Sequence, residues 1–370
     1  MRKINSIAIT CAIAGIFTLS SFISSAAIEA EENINLRHAI NEFKQENYAE
    51  AYEQFLQYLP LGSPDAAYYL AYSNIDELGT EYDPVQALAY FQLANEWGHP
   101  TASEYVVQIE PHLTAAEITA ANDFAALVKS KLVVPHSSAF FEITDEPLPK
   151  RLNARPPRYP REMSVAGIQS WLIMAHIVGP NGRVIFSTPL NSTLRDTMKN
   201  YLRIEDQWRY EERESFSFMT LQLDFNMDMS KSDDLKIVKK TFDDVYPLAM
   251  IGVPEHLMFL SDLSRRENQH EQEYEFMQNI SAVALMERAA RGGYIHAQRS
   301  LALRWRREVW AEYLINRGDL TTMTLYGALL HGHAKDPQLV KRGAALIKTA
   351  ADAGYENAAA LLPYLPNTEE

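Results

Sequence analysis

The chain has 370 residues, 47% of them apolar and 22% charged; this globular composition excludes collagen-like or wholly disordered structure, and at about 150 residues per domain it suggests two or three domains. Lys and Arg number 34 against 48 Asp and Glu, a formal charge of -14, which excludes a general nucleic-acid binder because such a protein needs a basic footprint on phosphates. The single cysteine, Cys11, excludes an internal disulfide and a cysteine metal cluster.

Residues 1–27 read as a signal peptide. Arg2 and Lys3 form a positive start, Ile7 to Ile23 is an uncharged apolar run, and Ser24, Ser25, Ala26 and Ala27 supply the small residues that a signal peptidase accepts. Cleavage there removes Cys11 and places a thiol-free protein in an oxidising periplasm. The other reading is an uncleaved inner-membrane anchor, since the seventeen residues of this run just reach across a bilayer.

Residues 28–134 have helical periodicity, with Ala, Leu and Tyr at three- and four-residue steps. Ala87, Ala94, Gly98 and Ala102 are separated by seven, four and four, and the same steps recur in Ala282, Ala289, Gly293, Ala297 and in Gly343, Ala350, Gly354, Ala358. Small residues so spaced let paired helices approach closely, with the glycine closing a helix in a left-handed cap. Asp83-Pro84-Val85-Gln86-Ala87 through Ala94-Asn95-Glu96-Trp97-Gly98 resembles the Sel-like repeat, a relative of the tetratricopeptide hairpin, and residues 47–71 look like one further tetratricopeptide-type unit. Thr114-Ala115-Ala116-Glu117 is a capping-box pattern that predicts a helix to about Lys131.

Pro135, Pro147 and Pro149 mark residues 135–154 as an extended connector, because no helix or central strand tolerates such density. Residues 155–226 then change texture. A short helix from Pro160 to Gly167 is followed by a strand from Ser170 to Val178 with Trp171, Ile173, Ala175 and Ile177 on one face. Gly179-Pro180-Asn181-Gly182 is a turn, Arg183 to Ser187 a second strand, Leu194 to Trp208 a helix, and Phe216 to Phe225 a final strand. The fold class is therefore α+β, a small sheet domain between two all-α repeat regions.

Pro157-Arg158-Tyr159-Pro160, Gly167, Gly179-Pro180-Asn181-Gly182-Arg183-Val184 and Trp208-Arg209-Tyr210 together resemble the TonB C-terminal domain. That resemblance implies helices on a short antiparallel sheet that captures a segment of an outer-membrane receptor by strand addition, an exposed edge accepting an extended peptide. It puts the partner contacts at Arg155, Arg158, Tyr159 and Pro160 and, on the final strand, at Phe218, Thr220 and Gln222. A force-transmitting member of that family carries an uncleaved helix with a polar histidine and a long proline-rich reach. Ile7 to Ile23 holds no histidine and this connector is short.

Residues 227–253 form a charged linker in which Asp233, Asp234, Asp243 and Asp244 lie beside Lys236, Lys239 and Lys240, a solvated helix face rather than paired catalytic acids. Residues 254–370 are the second helical region. Arg299, Arg304, Arg306 and Arg307 flank Trp305 and Trp310 on a predicted helix, with the tryptophans in the core and the arginines in water; docking of an anionic partner is the alternative. His331 and His333, two apart on a helix, point away from each other and read as a solvent-facing pair. No phosphate loop, dinucleotide fingerprint, zinc helix or nucleophile elbow occurs, so no catalytic, cofactor-binding or metal residues are expected and the protein is not expected to be an enzyme. The expectation is a periplasmic scaffold that docks other envelope proteins, a receptor segment among them, without nucleic acid and with membrane contact only if the signal stays uncleaved. The alternative is a TonB-type energy transducer or an accessory in receptor-dependent transport.

Overall fold

A computed structural model of the chain describes residues 35–137, 142–143, 148–153, 170–192, 208–225, 231–267 and 280–365. Asn35 opens the first helix, α1 (Leu36–Lys44), by accepting the backbone N–H of Arg37, and Leu36, Ala39 and Ile40 form its buried stripe. Helices α2 (Tyr48–Leu56), α3 (Pro64–Asp76), α4 (Pro84–Glu96), α5 (Ala102–Ile109) and α6 (Ala115–Ser130) follow. Ser63 and Asp83 cap α3 and α4, each followed by a proline in the first turn where no N–H is needed. Thr114 and Glu117 close the expected reciprocal capping box on α6.

After the sheet come α7 (Lys231–Met250), α8 (Pro254–Glu267), α9 (Ala282–Arg291), α10 (Ile295–Leu303), α11 (Glu308–Asn316), α12 (Leu320–His333), α13 (Pro337–Asp352) and α14 (Glu356–Ala359). Gly98, Gly293 and Gly354 all take the left-handed conformation between their helices, φ 92°, 84° and 88°. Gly343 lets α13 press against α12, where its missing Cβ would lie 2.5 Å from the Gly327 carbonyl.

The two helical regions join. The backbone N–H of Leu36 donates to the Gly292 carbonyl at 2.8 Å, the Asn35 amide donates to Glu255 at 3.0 Å, and one hydrophobic cluster runs from Leu36 to Leu365. The chain thus leaves a helical body, builds a sheet and returns to the same body. The segment expected as a charged linker belongs to it as well. α7 buries Val238, Phe242 and Ala249 at helical spacing and keeps Lys236, Lys239, Lys240, Asp243 and Asp244 outside, with Lys240 and Asp244 paired at 2.6 Å.

The sheet has the order β3 (Val184–Ser192), β2 (Ser170–Val178), β5 (Ser217–Phe225), antiparallel throughout, and a separate pair joins β1 (Arg151–Asn153) to β4 (Arg209–Tyr210). Trp171, Ile173, Ala175 and Ile177 face the helices as their alternation predicts. Leu172, Met174 and Val178 line the other face with Trp208, Tyr210 and Leu223. The second strand is longer than expected because it runs on past Ser187 to pair Ser192 with Leu172.

The proline-bearing connector is tied down where it is described. Arg291 donates to the carbonyls of Val134 and Pro135 at 3.1 and 3.5 Å, Ile143 bridges Ala334, and β1 pairs with β4. The signal segment, Arg155, Arg158, Tyr159, Pro160 and the two helices expected within 160–208 lie outside the described residues.

Candidate functional site

The expected docking strand, β5, forms one edge of the sheet. Phe218 pairs in register with Ile177, Thr220 with Ala175 and Gln222 with Ile173, so these three side chains lie on the helix-facing side. The structure therefore brings Phe218, Thr220 and Gln222 together on one strand. It does not leave the edge open at Phe218.

The backbone N–H of Phe218 donates to Nε2 of His333 at 3.1 Å, and the side chain is buried. Phe218 thus directs its backbone away from β2, and the strand alternation turns the backbones of Thr220 and Gln222 the same way. Gln222 accepts a hydrogen bond from Arg304 at 3.1 Å. The expectation of a bare edge is corrected at this point: the last turn of α12 supplies a side chain that satisfies the very group a visiting strand would bond.

This also corrects the reading of His331 and His333 as a solvent-facing pair. His333 is buried against β5, and half-buried His331 lies with its ring 5.2 Å from that of Phe216. Burial pushes the His331 pKa down, against a weaker opposing pull from the Val340 carbonyl. The predicted Arg and Trp helix is two helices, with Arg306 at φ 55° in the break between α10 and α11. Trp310 is in the core, as expected. Arg299 is paired with Asp319 at 2.6 Å rather than held in water.

Behind the sheet sits Asp262 of α8, fully enclosed, accepting a hydrogen bond from Asn191 of β3. Burial pushes its pKa up to about 6, opposed by the positive charges of Arg304 and Arg265 and by the Asn191 bond. Arg265 in turn lies over the Trp305 ring, 4.9 Å from its centroid. This knot fastens the sheet to the helices.

A second knot fastens the two helical regions. Arg288 of α9 donates twice to Asp65 of α3, at 2.6 and 3.3 Å, with both side chains buried. His99 stands 3.8 Å from the same carboxylate and stacks on Tyr68 with ring centroids 4.0 Å apart. Burial holds the His99 pKa down to about 4, so the ring is neutral at physiological pH.

No family model, curated protein or solved structure matches the chain. Among the described residues no helix is long and apolar enough to cross a membrane, and no group of three or more His, Cys, Asp or Glu residues is placed to hold a metal ion. Sequence reasoning did not find His333 or Asp262 as structural partners of the sheet. A usable signal for Asp262 was present, since it lies between Leu260 and Leu263 on the buried face of a helix.

Proposed function

We propose that the protein is a docking scaffold of the cell envelope, in which a body of stacked helical hairpins related to Sel-like repeats holds a TonB C-terminal-like sheet in a fixed orientation. The observation that carries this reading is the seating of the sheet on the helices through Asp262–Asn191 and Phe218–His333. A force-transmitting protein needs its receptor-binding domain on a long, free tether. Here the described parts of the connector are built into β1 and into contacts with Arg291. Such an arrangement suits a rigid platform that presents surfaces to other proteins. Partners are then envelope proteins, met at the outer edge of β5 around Thr220 and Gln222 by strand addition, or on the helical body.

Photo-crosslinking in intact cells tests the edge. A crosslinker at position 220 is expected to capture a second protein, and that capture is expected to vanish when Gln222 is replaced by proline, which removes a ladder donor. Crosslinks running only to α12 of the same chain would count against docking at this edge. Capture by a crosslinker at exposed Val107, with none at 220, would move the partner to the helices.

A further inference from the structure

On the side of the sheet away from the helical body, His176 is fully buried and neither of its ring nitrogens has a hydrogen-bond partner. A buried imidazole normally bonds through at least one nitrogen, and an exception calls for an explanation such as a bound ion. Among the described residues, the cluster on this face holds Leu172, Val178, Leu223, Tyr210 and Trp208, the last with its ring centroid 6.0 Å from that of the imidazole.

Two of the neighbours are thioethers. Met219 stands directly opposite His176 in the β2–β5 register, and Met174 lies two residues back on the same face of β2. Directly opposed side chains on adjacent antiparallel strands start with Cβ atoms about 4.5–5.5 Å apart, close enough for an imidazole nitrogen and a methionine sulfur to turn toward one point. Met174 and His176 are buried, and Met219 is half-buried.

We propose that His176, Met174 and Met219 form a binding site for a soft monovalent cation, copper(I) or its analogue silver(I). All three ligands are neutral, which suits an ion of one charge in an apolar setting, where a divalent ion without a carboxylate or thiolate would go uncompensated. Thioether sulfur selects copper(I) over the harder divalent metals.

Titration of the purified full chain with silver(I), a probe that needs no reductant, tests the assignment by calorimetry and by tryptophan emission. One equivalent is expected to bind and to change emission, and the emission change is expected to disappear in Trp208→Phe. His176→Phe fills the same space without a ligating nitrogen and is expected to abolish binding. Met219→Leu, close in volume, is expected to weaken binding at least tenfold. Copper(I) competing against a colorimetric chelator is expected to follow the same order. Absence of silver binding, binding unchanged in His176→Phe, or zinc(II) bound as tightly as silver(I) would overturn the proposal. If His176→Phe does not fold, the Met174→Leu/Met219→Leu double variant decides: affinity equal to that of the parent overturns it.

Discussion

Asp65 and Arg288 meet as a buried, two-bonded ion pair although 223 positions separate them in the chain. Asp65 sits in the first turn of α3 and Arg288 in the last turn of α9, so each charge also complements the dipole of its own helix. Next to them Arg291 donates to the Leu61 carbonyl at 2.5 Å and lies over Trp310, 5.5 Å from its ring centroid.

Removing one partner of this pair leaves the other buried and uncompensated. Arg288→Ala is expected to destabilise the protein by about 3–5 kcal/mol, because an orphaned buried charge costs far more than the intact pair contributes. The double variant Asp65→Ala/Arg288→Met is expected to recover about half of that loss or more. Denaturant midpoints followed by helical circular dichroism check both. Equal losses in the single and double variants would mean that the pair is not what joins the two helical regions.

The pH dependence of stability has two opposing parts. Burial holds the pKa values of His99, His136 and His176 down to about 4, from an ordinary 6.5. Between these values the unfolded chain takes up protons that the folded protein refuses, so stability present at neutral pH is lost as the pH falls through this window. Asp262 acts the other way: its folded pKa of about 6 lies above the ordinary 3.8, so its contribution falls as the pH rises through that interval. Asp262→Asn removes this opposing part. Relative to the parent, the variant is expected to gain roughly 3 kcal/mol between pH 4 and pH 7. Urea midpoints measured across that range for both proteins give the difference directly, and parallel profiles would refute it.

Gly182 has φ 70°, and a Cβ added there would lie 2.1 Å from the Tyr210 carbonyl oxygen. The Gly182 carbonyl also accepts the N–H of Tyr210 at 2.8 Å, so the β2–β3 turn and the Trp208–Tyr210 segment hold each other. Gly182→Ala is expected to cost about 2–4 kcal/mol by combining left-handed strain with loss of that contact. Gly182→Asn separates the two causes, since asparagine tolerates the backbone conformation but still carries a Cβ. Both variants are expected to melt early and to shift Trp208 emission. A fully stable Asn variant would show that only the conformation matters.

Processing of the N-terminus tests the compartment. The Arg2-Lys3 start, the apolar run and the Ser24–Ala27 site lead to the expectation that protein recovered from cells begins near Ala27 and leaves with the periplasmic fraction. Full-length mass found only in the inner membrane would favour the transducer reading instead.

Where neighbouring residues decide the structure, the sequence was a good guide. Gly98, Gly293 and Gly354 stand where the small-residue spacing put them, Thr114 caps its helix, and β2 alternates between two apolar faces. A further left-handed glycine, Gly318 between α11 and α12, escaped because Leu314 and Thr322 occupy the flanking positions where the other units have alanine. The charges of α7 pointed to a solvated helix face and concealed its buried one, although Val238, Phe242, Val245 and Ala249 have helical spacing. The final strand is an edge of the sheet, yet its cover at Phe218 was not foreseen. His333 lies 115 residues from Phe218, and a contact of that range leaves no periodic trace. The joining of the two helical regions was missed for the same reason.

The bond from Leu36 to Gly292 also constrains the order in which the molecule is made. During synthesis α1 emerges early, but Gly292, which accepts its first N–H, follows some 250 positions later. Until then α1 can pack on α2 but lacks this partner, and the whole sheet must be produced in the interval. Contacts this distant in the chain slow folding and prolong the exposure of adhesive surface. A chain threaded through a membrane in an unfolded state escapes part of this difficulty, because both ends reach the far side before folding has to be complete. A chain folding as it leaves the ribosome must keep a partly assembled body from adhering to others over the same interval.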